Sequence, residues 1–189
     1  MTLFINACVR KESRTKLLAD HVLSKLQDRV EEVKLEEIRF PAADEAFFQK
    51  RDALLAEGRL DDPMFSLARQ FAGAETVVIA APCYDHSFPA SLKQYVEQIS
   101  VVGVTFRYDK NNAVQGLCRG KALYYVTTAG GVIFDRAYGY GYIRFLAQDI
   151  FGIGKVKEYV AENLDIAGAD VPEIMQKAME DVDKEFAGR

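Results

Sequence analysis

Residues 6–16, NACVRKESRTK, crowd a thiol, hydroxyls and cations into one short turn: Cys8 is followed, after five residues, by Arg14 and Thr15. That spacing serves either of two chemistries. In one, a Cys8 thiolate attacks a phosphoester held by Arg14 and backbone N–H groups, which requires a depressed thiol pKa. In the other, Ser13, Thr15 and the free N–H groups of a starting helix hold the phosphate of a cofactor without cleaving it, and Arg10, Lys11, Arg14 and Lys16 outweigh Glu12 in charge. Two further stretches have site chemistry. In residues 82–89, PCYDHSFP, Tyr84 can flank a planar ring while amides near Asp85 and His86 bond its edge. In residues 127–135, TTAGGVIFD, Gly130 and Gly131 let the main chain approach a flat ligand closely. Taken singly, Ser13 reads equally as a helix N-cap, Tyr84 as a half-buried loop aromatic, His86 as a surface histidine and His21 as structural. Three such loops together weigh toward function.

The elements that must position these loops alternate along the chain. Residues 3–7 (LFINA) are an apolar run, and 76–81 (TVVIAA), 122–127 (ALYYVT) and 156–160 (VKEYV) are β-branched or aromatic runs of strand length, with a weaker strand at 33–38. Helical periodicity occupies residues 13–27, the stripe Leu92, Tyr95, Val96, Ile99, and the stripe Tyr142, Phe145, Leu146, Ile150. A last helix starts near Pro172 and turns Ile174, Ala178, Val182 and Phe186 inward. Residues 44–72 read as a helix, a turn at EGRLDDP and a second helix. This rhythm predicts one α/β domain over 1–189: a flavodoxin-like doubly wound five-stranded parallel sheet, order 2-1-3-4-5, with helices on both faces. Ligands in such a sheet sit outside the carboxyl ends of the strands where the strand order reverses, which is where the three loops converge.

Composition narrows the partners. With a net charge of -4 the chain has no basic excess for nucleic acid, and its apolar runs are too short to insert in a membrane. The first residues lack a basic start and a cleavage site, so the expected location is cytoplasmic. Cys8, Cys83 and Cys118 are an odd number at unrelated spacings, which fits reduced thiols. Cys8 and Cys83 end neighbouring strands and read as two small buried hydrophobes. The two histidines form no metal-ligand cluster with them in sequence, so no metal is expected.

The stretch APCYDHSFPASLKQYVEQISVVGVTFRYD, followed by GLCRGKALYYVTTAGG, resembles the FMN-dependent NADH-azoreductase and NAD(P)H:quinone oxidoreductase family. The resemblance implies bound FMN, NADH or NADPH as electron donor, and two-electron ping-pong reduction of quinones, azo compounds or similar electron-poor aromatics. It assigns the FMN phosphate to Ser13, Arg14 and Thr15, with Cys8 where azoreductases commonly have serine. Pro82, Cys83, Tyr84, Asp85 and His86 then border the isoalloxazine ring, as do Thr128, Ala129, Gly130 and Gly131. It further implies a homodimer with the flavin near the subunit boundary, where GVTFRY brings Phe106 and Tyr108 close to form a substrate pocket. No residue is assigned as catalytic, because the cofactor carries the reaction.

Two alternatives compete. Low-molecular-weight cysteine phosphatases share C-x5-R-[ST] after a first strand. Here, however, the loop VRKES has no glycine or asparagine for inward-facing amides, and Asp62, the formal leaving-group acid, falls between helices. The other alternative is a non-enzymatic flavin electron carrier. Asp85 stands where azoreductases typically have asparagine. An ionised carboxylate roughly 6 Å from the negative charge that reduction puts on the flavin repels it by about 3 kcal/mol at an effective dielectric near 20. That lowers a two-electron potential by roughly 60 mV. Asp85→Asn is therefore expected to raise the flavin midpoint potential in an anaerobic redox titration; an unchanged or lower midpoint refutes this.

Overall fold

The structure, a computed structural model, describes residues 1–187. Five parallel strands form its sheet: β1 (Thr2–Asn6), β2 (Val30–Lys34), β3 (Thr76–Ala80), β6 (Ala122–Thr128) and β7 (Lys155–Ala161), in the order β2-β1-β3-β6-β7. This is the doubly wound order expected of the chain. Every residue of β1 and β6 is buried, because helices cover both faces and leave no wet side for polar residues.

Strand alternation deals side chains to two cores. Leu3, Ile5, Val77, Ile79, Leu123 and Tyr125 face α3 (Ser66–Gly73), α4 (Ala90–Ile99) and α5 (Tyr140–Phe145), against Phe71, Leu92, Tyr95 and Ile143. Phe4, Val78, Ala80, Tyr124 and Val126 face α1 (Arg14–Ser24) and α6 (Val171–Phe186), where Leu18, Val22, Ala178 and Val182 close the other side. Ile174 and Phe186 pack against that second core, so the inner face foreseen for the last helix holds. The remaining helix, α2 (Glu45–Ala56), buries Leu54 and is capped by Asp44, whose side chain accepts from the Phe47 amide at 2.9 Å. Among the described residues no helix is long and apolar enough to cross a membrane.

Three local expectations need correction. The second strand lies at Val30–Lys34, and Leu35–Glu37 form a 3₁₀ turn after it; in this edge element only Val33 and Leu35 are buried, and those two drew the expected strand too far along. In the α5 region Ile143 and Ala147 mark the inner face. Phe145 lies about 200° round the helix from Ile143 and is 51% exposed. The helix then continues into a π-helical turn at Leu146–Ile150. Finally, a hairpin, β4 (Phe106–Tyr108) with β5 (Val114–Gly116), was not foreseen because its strands are three residues each. Its Gly116 lies against backbone: a Cβ there would meet Gly152 N at 2.3 Å and Phe151 O at 2.4 Å. The chain leaving the hairpin donates from Leu117 N to Thr105 O and from Arg119 N to Ala72 O, both at 2.9 Å, just before β6 begins. The hairpin therefore hangs at the amino end of the sheet.

One buried group is mismatched to its surroundings. The Tyr95 hydroxyl has no hydrogen-bond partner among the described residues, although the side chain is fully buried between α4 and the sheet. Burial accordingly pushes its pKa upward. A buried donor without a partner costs about 1–3 kcal/mol. Tyr95→Phe is expected to stabilise the fold by about 1 kcal/mol, raising Tm by roughly 2–4 °C in a thermal melt; a fall in Tm would mean that the hydroxyl is paired.

Candidate functional site

Backbone pairing continues past the ends of the central strands. Ala7 N donates to Ala80 O, Ala81 N to Val126 O, Cys83 N to Thr128 O and Ala129 N to Ala161 O, each at 2.9 Å. The loops after β1, β3 and β6 therefore start side by side at the carboxyl edge of the sheet. Ser13 caps α1, its hydroxyl accepting from Lys16 N at 3.2 Å. The amides of Arg14 and Thr15 have no acceptor within the helix and lie at its positive end. Thr15 is buried, and its Oγ1 shares a 2.6 Å hydrogen bond with Thr128 Oγ1, which ties the start of α1 to the end of β6.

The result is one cleft of about 270 Å³. Of the residues named from sequence, Ser13, Arg14, Thr15, Pro82, Cys83, Tyr84, Thr128, Ala129 and Gly130 line it, together with Arg10 and Glu12. Gly131 follows without joining the lining, and a Cβ there would meet open space. Cys83 is half buried, and burial, with Glu162 second, raises its thiol pKa.

Asp85 and His86 go elsewhere. They are the centre of a tight turn in which Tyr84 and Ser87 exchange backbone hydrogen bonds of 2.8 and 2.9 Å, and both have positive φ, 49° and 65°. This is the geometry that Asn-Gly normally serves, held here at about 1–2 kcal/mol for each non-glycine residue. The turn leaves Tyr84 on the first cleft and sends Asp85 and His86 to a second, of about 530 Å³, with Phe88, Tyr138 and Tyr142. Its hold on the neighbouring loop is polar and aromatic: Ser87 Oγ donates to Tyr138 O, and the His86 and Phe134 rings lie 5.8 Å apart. Asp85 is exposed, so water screens its charge and the roughly 60 mV figure above is an upper bound.

The remaining named residues lie away from this cleft. Cys8 is 6% exposed, packs in the core beneath the loop with Phe4 and Leu18, and does not line the cleft. Burial raises its thiol pKa, the opposite of what a thiolate nucleophile requires. Asp62 caps the short turn Pro63–Phe65 and pairs with Arg59, remote from the cleft. Phe106 and Tyr108 sit on the hairpin at the amino end of the sheet, so a single chain does not bring them to this site.

Sequence reading missed Leu164 and Asp165, which complete the cleft from the loop after β7. The rule that pointed to the other three loops, extended to the last strand, would have found them. It also missed the anchor of the glycine loop. Arg136 lies 2.9 Å from both Glu158 and Glu162, and Glu162 also accepts from Ile133 N at 2.6 Å. Burial raises the Glu158 pKa, with Arg136 opposing.

A reversed strand order with loop-lined clefts at its carboxyl edge defines a doubly wound α/β protein whose clefts lie at its switch point. A family model described as flavodoxin-like fold matches residues 1–186, and the chain belongs to that family. An FMN-dependent NADH:quinone oxidoreductase of Clostridium perfringens is 31% identical over 94% of this chain and 93% of its own length. One from Clostridium acetobutylicum is 39% identical, but the match spans 66% of this chain and 63% of the relative, less than two thirds of its length. Among solved structures, an azoreductase from Bacillus anthracis superposes with a TM-score of 0.84 at 20% identity, covering 100% of this chain and 99% of that one. An FMN-dependent NADH-azoreductase from the same organism, in complex with FMN, gives 0.79 at 21%, covering 98% and 97%. At those identities the structures speak to the fold.

The Thr15–Thr128 bond makes a mechanical prediction. Thr15→Val leaves Thr128 Oγ1 buried and unpaired and is expected to cost about 1–3 kcal/mol in denaturant unfolding. Adding Thr128→Val, which removes both partners, is expected to restore most of that loss; equal single and double losses refute the coupling.

Proposed function

We propose that this chain is an FMN-dependent NAD(P)H:quinone oxidoreductase that also accepts azo compounds and similar electron-poor aromatics. One observation carries the reading: a single cleft joins the cation-rich start of α1 to the loops around Tyr84 and Gly130 at the switch point of the sheet. The names of the oxidoreductase relatives, one of them matched over nearly its full length, support it. The donor set fits the group. A phosphate suits the Ser13 hydroxyl, the Arg14 and Thr15 amides and the Arg14 guanidinium. A flat ring suits the Tyr84 side chain, the backbone of residues 82–84 and the backbone of Ala129 and Gly130.

Bound FMN would supply the two-electron hydride chemistry between the nicotinamide and the acceptor. The chain's own part is to orient. Thr15 and Thr128 hold α1 against β6, the Tyr84–Ser87 turn sets one wall, and Arg136 fixes the loop that carries Gly130. No nucleophile or metal is required for that role. Cys8 in its apolar setting speaks against the phosphatase reading.

The working unit is proposed to be a homodimer. Exposed Val132, Phe134, Tyr138 and Phe145 provide apolar surface, with Tyr138 lining the second cleft and Phe134 packed beside His86, and Phe106 and Tyr108 would come to the flavin from a second copy. A cytoplasmic location belongs to the same proposal.

Protein supplied with FMN is expected to acquire a flavin absorption band, to be bleached once by NADH or NADPH under anaerobic conditions, and to turn over repeatedly when a soluble quinone is present, with parallel lines in double-reciprocal plots. Cys8→Ser is expected to retain this activity. Hydrolysis of an aryl phosphate by the parent chain, lost in Cys8→Ser, would overturn the proposal. Bound FMN without turnover of either nicotinamide would instead indicate an electron carrier.

A further inference from the structure

Arg14 already has an anion. Its Nη1 lies 2.7 Å from Asp165 Oδ1 and donates to Leu164 O at 3.3 Å. The carboxylate is set there by the backbone: Asn163 N donates to Gly131 O at 3.1 Å, Leu164 N to Ala129 O at 3.2 Å and Asp165 N to Gly130 O at 2.9 Å. These bonds lace the loop after β7 onto the loop after β6. Gly130 makes the room, since a Cβ on it would stand 2.4 Å from Asp165 Oδ2. A carboxylate thus lies over the glycine loop, facing the cation nearest the start of α1, in the cleft proposed for a phosphate.

Lys16 is paired with Asp20 at 2.8 Å, and Arg10 shares the cleft with Glu12. Arg14 is the cation that both Asp165 and a phosphate at the α1 amides would claim. The Arg14–Asp165 contact is solvent-exposed, with Asp165 at 68%, so it is weak enough to exchange. A phosphomonoester carries close to two negative charges at neutral pH and three strong acceptor oxygens, against one charge on the carboxylate.

Resting on the FMN reading, we infer that Asp165 is a built-in competitor for Arg14: it must yield the guanidinium to the ligand's phosphate, and it sets the affinity and charge selectivity of the site. A doubly charged terminal phosphate wins the exchange. A neutral ligand gains nothing from Arg14 and leaves the Asp165 contact in place. Asp165 is in this sense a specificity-determining residue with no part in the redox chemistry.

The test measures dissociation constants by flavin fluorescence for FMN and for riboflavin, which lacks the phosphate. Asp165→Asn keeps the side-chain shape and is expected to bind FMN roughly three- to fivefold tighter, the scale of one screened charge pair, with riboflavin unchanged. Asp165→Ala is a second variant, expected to behave alike. In an Arg14→Gln background the gain from Asp165→Asn should fall below twofold, because the two anions no longer share a cation. Unchanged or weaker FMN binding in Asp165→Asn overturns the inference and makes Asp165 a positioner of Arg14. A full gain that persists in Arg14→Gln also overturns it, in favour of direct repulsion. If the parent chain binds no FMN, the functional proposal falls as well; if it binds and no gain appears, only the competition does.

Discussion

Everything at the candidate site rests on the parallel register of β1, β3 and β6. Asn6 pairs with Ala80, Ala80 with Val126, and the ladder continues past the strand ends through Ala7, Ala81 and Cys83. Three loops far apart in sequence therefore begin side by side, each within one hydrogen bond of its neighbour. Those backbone groups are buried and must be paired, so the register cannot slip without stranding donors and moving each side chain to the other core. The two cores hold it from both sides.

Onto that edge the chain adds opposite electrostatic and steric features. The start of α1 concentrates unpaired amides and cations, while the loops after β3 and β6 offer backbone and small residues. Each loop is restrained by a different device: a buried threonine pair for α1, a strained two-residue turn at Asp85 and His86, and an arginine between two glutamates for the glycine loop. Among the described residues, three of the four non-glycine residues with positive φ, Asp85, His86 and Asn163, lie in loops at this edge, against Asn112 in the hairpin at the far end of the sheet.

Much of this was legible in residue types. Runs such as TVVIAA and ALYYVT, with no polar residue but a terminal threonine, announced strands buried on both faces, and the stripe from Leu92 to Ile99 announced α4. The edge strand β2 was harder, because an exposed strand with one buried valine has almost no pattern to read. The outward Phe145 was unreadable for a related reason: periodicity averages over a helix and does not say which of two overlapping stripes faces the sheet.

Residue order alone determined the fold class, the switch-point loops and the cation excess at the start of α1, since local pattern and charge are written position by position. Only the tertiary structure decided that Cys8 points into the core, that Asp85 and His86 turn away to a second cleft, that Phe106 and Tyr108 lie at the opposite end, and that Asp165 meets Arg14. The physical reason is common to all four. The direction of a side chain from a loop depends on backbone torsions and on partners distant in sequence, and neither is encoded by the neighbours that set helix and strand periodicity.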